Sequence, residues 1–425
     1  MIDKYLVNAG VYSDIPVSIY MAYSERIDGF TEQQIREMWK IGHDRRYFQL
    51  HFFHNRFGVF ITRFSNVKFN LRTGMVEAKL CNRERIFIPR NIVLGLGRRY
   101  DDIISSLGDY VHVEAVKRNS KVIVRRIIPL KAESDIDTAR EILDNHSFLS
   151  AVTVGLGYKD NVHIKRLLLT RVVSWFRGFD NRPIYTIQLT PPNTGKTQFA
   201  IRCMTMLNWE YLNEVPTLPR LIMDSRTGAY GIVFLRDGIV FDEFDKWSDF
   251  AERIKLLHST LLTGMEQGVW SRGTTTVIMN AYMQCRFIHM FFTGNLTNLQ
   301  FPLKYTLREE LAISLASTIG LDIAPFVDRL SLVDIYTGQV DLQRHITWRQ
   351  LPDNIMRGLI EVVQRQVKHC DVSSLQGRQM MQTNNVYSVL TAMGYDVNPE
   401  TIDKAVIGEH NSDVYMKLLE EMGEC

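Results

Sequence analysis

The chain has 425 residues, of which 45% are hydrophobic and 23% are charged. This composition is ordinary for a globular protein, and the length suffices for about two or three domains. A net charge of +3 is too small to indicate nucleic-acid binding, so a local basic patch has to support any such prediction. The 5 cysteines form no Cys-x-x-Cys pair, which argues against a zinc module or a disulfide framework. No stretch resembles a secretory signal or approaches the roughly 18 apolar residues of a membrane helix, so we expect a soluble, cytoplasmic protein without a membrane partner.

Residues 1–150 mix short β-rich runs with turns. In FGVFITRF, YVHVEAV and KVIVRRIIPL, apolar and polar residues alternate as they do in half-buried strands. Gly74 and Asn119 lie in segments that are typical of hairpin turns. These features predict an N-terminal β-rich domain over residues 1–150, either a small OB-type barrel or a generic α+β domain.

A basic segment lies within this N-terminal part. Residues 81–131 carry 11 basic and 5 acidic side chains, a local charge of +6 against +3 for the whole chain. The residues of its turn that could contact a nucleic-acid backbone are Lys117, Arg118 and Lys121. A solvated sheet face is the alternative. The aromatic residues upstream, such as Phe53 and Phe57, are more typical of a core than of a base-stacking platform.

The pattern changes after residue 150. NVHIKRLLLTRVVSWF has helical apolar spacing, and strands then alternate with helices up to about residue 340. This alternation predicts an α/β domain with a parallel sheet over residues 151–340. The periodic stretches LPDNIMRGLIEVVQRQV and GRQMMQTNNVYSVLTAM predict a helical lid and extension over residues 341–425.

A phosphate-binding loop is predicted between a strand and a helix. The strand-like run Ile184–Leu189 precedes Thr190-Pro-Pro-Asn-Thr-Gly-Lys-Thr, and the helix-like run QFAIRCMTML follows it. A Gly-Lys-Thr sequence can occur in a loop by chance, but this context favours a P-loop whose amides hold the phosphates of ATP at a helix N-terminus. Thr190 occupies the position at which the pattern has its first glycine. The predicted nucleotide-binding residues of the loop are Pro192, Asn193, Thr194, Gly195, Lys196, Thr197 and Gln198.

Three side chains are predicted to complete the reaction site. Asp242 and Glu243 follow the apolar run GIVF, which is the Walker B arrangement. We expect Asp242 and the hydroxyl of Thr197 to hold Mg²⁺, and Glu243 to polarise the attacking water. Asn295 ends another apolar run and fits a sensor of the γ-phosphate, although an asparagine beside Gly294 can also be a turn residue.

Two arginines are candidates for contacts with ATP. Arg329 lies at a position that suits an arginine finger reaching the nucleotide of a neighbouring subunit, a contact worth about 10³–10⁵ in rate in the best cases. Arg378 is a candidate second sensor in the C-terminal helical part. A surface charge is the alternative for each of them.

The segment between Asp242 and Asn295 resembles two related groups of AAA+ ATPases, the MCM replicative helicases and the MCM-like BrxL ATPases, often labelled Lon-like. The resemblance extends over roughly residues 161–385. It rests on Met265-Glu266-Gln267, Ser271-Arg272-Gly273-Thr274, Asn280-Ala281, Gly294-Asn295 and Asp328-Arg329-Leu330.

The resemblance implies a homo-oligomeric ring, a hexamer, with a hairpin that projects into its channel. Arg272 and Thr274 would then contact DNA, and hydrolysis of ATP would move the hairpin along it. The implied function is an AAA+ ATPase that translocates on DNA or unwinds it, with ATP and Mg²⁺.

Other functions fit the same motifs. The Pro-Pro-Asn-Thr-Gly-Lys-Thr loop is similar to that of the viral superfamily 3 helicases, so a replication helicase of a virus or plasmid is one alternative. An ATP-driven remodeller of proteins or DNA without helicase activity is another. A scaffold with a degenerate ATPase is a third, because of Thr190.

Overall fold

The protein is described from a computed structural model. The residues that it describes are 2–8, 15, 19, 23, 27, 29–70, 75–96, 107, 109–130, 133–224, 229–244, 246, 251–270, 286–295, 303–319, 323–338, 340, 342–347, 349–409 and 413–425.

The N-terminal part contains a pair of helices followed by a strand-rich unit. Its elements are β1 (Val7–Asn8), α1 (Glu32–His43), α2 (Arg45–His54), β2 (Phe57–Thr62), β3 (Phe64–Asn70), β4 (Met75–Leu80), β5 (Arg85–Ile88), α3 (Arg90–Leu96), β6 (Val111–Arg118) and β7 (Lys121–Pro129). Helix α1 begins with a capping box, in which Thr31 and Gln34 satisfy each other's backbone amides. The predicted hairpin turn at Asn119 is observed between β6 and β7, with φ of 55° at this residue.

The strand-rich unit closes into a barrel because β2 and β3 are joined by Arg63 alone. The sheet order is β3-β4-β5-β7-β6-β2, so this almost continuous strand pairs with β4 through its second half and with β6 through its first half. Among the described strands of this unit, β5 and β7 alone pair in parallel. This connectivity, with α3 between β5 and β6, is that of an OB-type barrel, the first of the two folds expected here.

The central part is an α/β unit with one parallel sheet. Its elements are α4 (Ile136–Leu143), α5 (Phe148–Gly155), α6 (Val162–Val173), β8 (Thr186–Leu189), α7 (Lys196–Met206), β9 (Trp209–Leu212), α8 (Leu218–Leu221), β10 (Met223–Asp224), β11 (Ala229–Tyr230), α9 (Ile232–Leu235), β12 (Gly238–Phe241), α10 (Ala251–Gln267), β13 (His289–Gly294), α11 (Leu307–Ile319), α12 (Ala324–Val327) and β14 (Leu332–Ile335). The parallel sheet has the order β14-β8-β13-β12-β9. Strands β8, β12 and β13 are buried along their whole length, as expected for a sheet covered on both faces.

The barrel and the parallel sheet are joined by main-chain pairing and by buried arginines. Strands β10 and β11, which lie between β9 and β12 in the sequence, pair with each other in antiparallel fashion. Tyr230 of β11 pairs with Val67 of β3. Arg63 donates hydrogen bonds to Oδ1 of Asn208 at 2.8 Å and to the carbonyl of Trp209 at 3.1 Å. The barrel strand that carries Arg63 is therefore anchored at the start of β9.

The C-terminal part is helical, as the sequence pattern predicted for its two periodic stretches. After β15 (Arg349–Gln350), which pairs with β1, come α13 (Asp353–Gln364), α14 (Gly377–Ala392), α15 (Pro399–Ile407) and α16 (Val414–Glu421). These helices share a hydrophobic core with α4–α7. Among the described helices, none is long and apolar enough to cross a membrane.

The predicted fold class is confirmed, with a parallel sheet flanked by helices and a β-rich N-terminal part. The division at residues 150 and 340 stays a prediction.

Candidate nucleotide-binding site

The predicted phosphate loop connects the end of β8 to the start of α7, at the carboxyl edge of the parallel sheet. Ligands of open α/β sheets bind at this edge. Asn193 and Gly195 have φ of 65° and 68°, a region that glycine and asparagine adopt most readily. A Cβ atom on Gly195 would also lie 2.7 Å from Cδ1 of Leu342, so a larger residue would require the Leu342 side chain to shift. Helix α7 begins at Lys196, and its first amides have no partner within the helix, which suits them to bind phosphate.

Thr190 replaces the first glycine of the pattern without backbone strain. Its φ is not positive, so the position does not require glycine. The side chain is fully buried, and its hydroxyl shares a 2.7 Å hydrogen bond with the hydroxyl of Thr194. The Thr190 side chain thus links the first residue of the loop to Thr194 near its end.

Lys196 lies between the loop and the adjacent strand. Its Nζ donates to the carbonyl oxygens of Thr190 and Pro191, both at 3.2 Å, and to Oδ1 of Asn295 at 2.9 Å. Asn295 follows β13, the neighbour of β8 in the sheet. The structure therefore brings the loop lysine and the candidate sensor into direct contact.

Asp242 and Thr197 face each other across the site. The hydroxyl of Thr197 donates to Oδ2 of Asp242 at 3.4 Å, and the Asp242 carboxylate is almost fully buried at the end of β12. Two oxygen ligands at this separation fit Mg²⁺, which prefers hard oxygen ligands and keeps several waters.

Tyr211 is a neighbour of this pair that sequence reasoning missed. Its hydroxyl donates to Oδ2 of Asp242 at 2.9 Å. Burial and the Asp242 carboxylate raise the pKa of Tyr211 to about 12, so the hydroxyl stays a donor. Only the register of β9 against β12 reveals this contact.

Glu243 has a strained backbone, with φ of 52°, although it is neither glycine nor asparagine. Its amide donates to Oδ1 of Asp242 at 2.9 Å, and its side chain accepts a 2.6 Å hydrogen bond from Lys246. Strain of this kind costs about 1–3 kcal/mol and is concentrated at functional sites.

One pocket with about 740 Å³ of empty space contains most of the predicted site. All seven predicted loop residues line it together with Asp242, Glu243 and Asn295, and Leu342 closes one side.

Arg171 supports the loop from below and was also missed by sequence reasoning. This fully buried arginine of α6 donates to the carbonyl of Thr194 at 2.9 Å and to Oε1 of Gln188 at 2.6 Å. Burial lowers the pKa of Arg171 to about 10. Its place in an apolar helical run gave no sign of this role, because arginine is rarely buried completely.

The two candidate arginines lie outside the pocket but beside each other. Arg329 donates to Oε2 of Glu266 at 2.5 Å, and Arg378 donates to Oε1 of the same carboxylate at 3.0 Å. Arg378 also pairs with Asp328. The two arginines lower the pKa of Glu266. Glu266 belongs to the Met-Glu-Gln segment on which the resemblance rests, so that segment meets both arginines.

The predicted DNA-binding residues differ in what the structure describes. Lys117, Arg118 and Lys121 lie at the turn of the β6–β7 hairpin, and the side chains of Arg118 and Lys121 are exposed. Arg272 and Thr274 lie outside the described residues.

Comparison with known proteins agrees with this geometry. Residues 125–333 match the model of the family described as the ATPase domain of Lon-like protease BrxL-like proteins. The chain is 26% identical over 400 residues to uncharacterized protein 440 of Sulfolobus islandicus rod-shaped virus 1, covering 88% of this chain and 87% of that protein. It is 28% identical over 392 residues to uncharacterized protein ORF426 of Acidianus filamentous virus 1, covering 85% of this chain and 88% of that protein.

A third relative is uncharacterized protein ORF425 of Acidianus filamentous virus 2, 27% identical over 318 residues, with 69% of this chain and 73% of that protein covered. Among solved structures, the full-length MCM homolog from Methanopyrus kandleri superposes with a TM-score of 0.47 and 12% identity, covering 86% of this chain and 77% of that one. The match over residues 125–333 confirms the predicted resemblance to the BrxL ATPases and supports an AAA+ ATPase.

Proposed function

We propose that the protein is an ATP-hydrolysing ring motor that translocates on DNA or unwinds it. The observation that carries the proposal is the convergence of Lys196, Asp242, Glu243 and Asn295 on one pocket formed by the loops after β8, β12 and β13. ATP is the proposed substrate, and Mg²⁺ is the proposed cofactor.

Each pocket residue has a role that follows from its position. The amides at the start of α7 and Nζ of Lys196 hold the phosphates, and Thr197 and Asp242 are the groups that would hold Mg²⁺. A Mg²⁺ ion held by these two residues would neutralise charge on the phosphate oxygens. Glu243 accepts a proton from the attacking water while Asn295 orients the water or the γ-phosphate. The bond between the γ-phosphorus and the bridging oxygen breaks, and ADP and phosphate leave.

The ring is proposed because the arginines do not line the pocket of their own chain. Arg329 and Arg378 are held together by Glu266, and Arg378 remains 38% exposed. A pair of cations presented at one place fits a role in stabilising transition-state charge at the ATP of a neighbouring subunit. The hexameric state comes from the resemblance.

DNA is proposed as the track. Arg272 and Thr274 would contact its backbone from the channel hairpin, and Lys117, Arg118 and Lys121 would contact it from the barrel.

The test is ATP turnover of the purified protein with and without DNA, at low and moderate salt. Lys196→Ala should be inactive, whereas Glu243→Gln should bind ATP and lose about 10²–10⁴-fold in turnover, the usual contribution of a general base. Glu214→Gln, at an exposed position paired with Arg220, is the matched control. Normal turnover in Glu243→Gln would contradict the assignment of the base. Turnover that does not respond to DNA would favour the alternative of a protein remodeller.

A second candidate function is a replication helicase of superfamily 3 type encoded by a virus or plasmid. The three viral relatives favour a viral setting. Strand displacement on a forked DNA would support either helicase proposal. Whether Arg329 contacts the ATP of a neighbouring subunit would distinguish the two proposals.

A further inference from the structure

The C-terminal end of α2 presents aromatic side chains to solvent. Phe53 is 76% exposed and Phe57, just beyond the helix, is 51% exposed. Their neighbours Phe48 and Phe52 are each 3% exposed and fill the barrel core, so the core does not require the two exposed rings. The two rings lie four positions apart, at the end of α2 and the start of β2, and contiguous exposed apolar surface marks interaction sites. This observation differs from the expectation that the aromatic residues of this segment are more typical of a core than of a base-stacking platform.

The chain segment that carries these rings has charged residues of one sign, while Glu84 of another segment accepts a hydrogen bond from Gln49 of α2. No acidic residue occurs between Asp44 and Glu77 in the sequence. Arg46 and Arg56 of this stretch are exposed. A protein partner whose surface carries charges of both signs would not require an excess of basic residues here, whereas a polyanion would.

The barrel hairpin brings further cations to the same place. The amide of Lys117 donates to the carbonyl of Arg56 at 2.8 Å, and Nζ of Lys117 donates to the carbonyl of Phe52 at 2.9 Å. Arg118 and Lys121 follow at the exposed turn, and no acidic residue occurs between Glu114 and Glu133. Helix α2 and the β6–β7 hairpin thus form one basic surface with aromatic rings in it.

We propose that this surface, defined by Phe53, Arg56, Phe57, Lys117 and Arg118 and called the α2 tip patch, binds single-stranded DNA. The bases stack on Phe53 and Phe57, and the cations contact the phosphates. Exposed aromatic rings between cations are the arrangement that binds single strands without sequence preference, because every base has a π-face. In duplex DNA the bases are stacked on each other and cannot reach the rings. The proposal deepens the proposed function and rests on it, since it names where the motor holds a single strand.

The test is fluorescence anisotropy of a labelled 30-nucleotide dT strand with the full-length protein in the absence of nucleotide. We expect Phe53→Ala and Phe57→Ala each to weaken binding about tenfold, within the range for loss of one stacked base. Phe53→Trp should restore the affinity. Ile313→Ala removes an exposed apolar side chain of α11 and should leave it unchanged. Arg56→Gln should reduce the salt dependence of binding by about one phosphate contact, whereas Phe53→Ala should not.

The outcomes separate this proposal from the motor. Equal affinity of the phenylalanine variants and the wild type would overturn the patch, as would equal effects on a 30-base-pair duplex. Loss of a larger oligomer in light scattering, with unchanged DNA affinity, would show a contact between copies of this chain instead. ATP turnover without DNA should be normal in Phe53→Ala, Phe57→Ala and Arg56→Gln. If the protein binds the strand through these residues but does not hydrolyse ATP, the proposed patch is supported and the proposed motor function is contradicted.

Discussion

Nζ of Lys196 donates a 2.9 Å hydrogen bond to Oδ1 of Asn295, which lies 99 residues further along the chain. The same ammonium group faces the carbonyl oxygens of Thr190 and Pro191. A γ-phosphate bound by the loop has to share this cation with Asn295, so the charge of the residue at position 295 should decide whether the lysine can serve the phosphate.

The first prediction therefore compares two substitutions of Asn295. Asn295→Ala removes a polar group near the γ-phosphate and should lower kcat about 10²-fold, the size typical for loss of one stabilising donor. Asn295→Asp should be at least about tenfold worse in kcat/KM, because its carboxylate neutralises Lys196 and repels the phosphate. Steady-state kinetics over a range of ATP concentrations measures both effects. Equal kcat/KM of the two variants would show that the Lys196–Asn295 contact is not on the reaction path.

A second prediction concerns the carboxylate that joins the two candidate arginines. Arg329→Ala should remove most ATP turnover while leaving nucleotide binding intact, because Arg329 lies outside the pocket. A mixture of Arg329→Ala and Lys196→Ala should regain activity, since some interfaces in a mixed ring pair an intact pocket with an intact arginine. Glu266→Gln should weaken the positioning of both arginines, because both donate hydrogen bonds to its carboxylate. A mixture as inactive as its components would mean that Arg329 does not act between subunits.

Much of the site is predictable because each motif directly follows a buried apolar strand. Lys196, Asp242 and Asn295 belong to segments next to the apolar runs of β8, β12 and β13, and parallel strands place their carboxyl ends at one edge. Tyr211 and Arg171 could not be predicted, because their roles depend on strand register and on complete burial of a charge. The contact of Glu266 with both arginines joins segments that are far apart in the sequence.

The strands of the barrel could be predicted from the sequence, but its closure and the exposure of its surface residues could not. Alternation of apolar and polar residues marked β2, β6 and β7, whereas closure depends on the single residue Arg63 between β2 and β3. The exposure of Phe53 could not be read from the sequence, since Phe48 and Phe52 in the same run are buried.

A third prediction tests why the loop tolerates Thr190. Thr190→Gly restores the common pattern, but it removes the hydroxyl that bonds Thr194 and Lys196 and adds chain entropy to the unfolded state. We expect the free energy of unfolding to fall by about 1–2 kcal/mol. Thr190→Ser keeps the hydroxyl and should lose much less. Urea denaturation followed by circular dichroism gives both values. A Thr190→Gly variant as stable as the wild type would show that the glycine pattern is equally compatible with this loop.

The last prediction concerns acid stability and His289, the first residue of β13. Its ring is buried against Trp209, with ring centroids 5.5 Å apart, and its Nδ1 donates to the carbonyl of Ser174 at 3.0 Å. Burial, with a contribution from the nearby Arg177, lowers the pKa of His289 to about 3 from its ordinary value of 6.5. The unfolded chain therefore binds one more proton than the folded chain between these two pH values. Stability contributed by the neutral ring is complete above about pH 6.5 and falls as the pH drops toward 3, by up to about 1.4 kcal/mol per pH unit.

The measurement is the free energy of unfolding in urea at intervals from pH 7 to pH 4. His289→Gln should be less stable than the wild type at pH 7 and should lose less stability on acidification, because it has no proton to take up on unfolding. His163→Gln, at an exposed position of α6, should follow the wild-type curve. Parallel curves for His289→Gln and the wild type would mean that His289 is not the group that couples protonation to unfolding, and would point to other buried titratable groups such as His112. A wild-type curve steeper than that of His289→Gln would show that protonation of β13, the strand that precedes Asn295, lowers the stability of the ATPase sheet in acid.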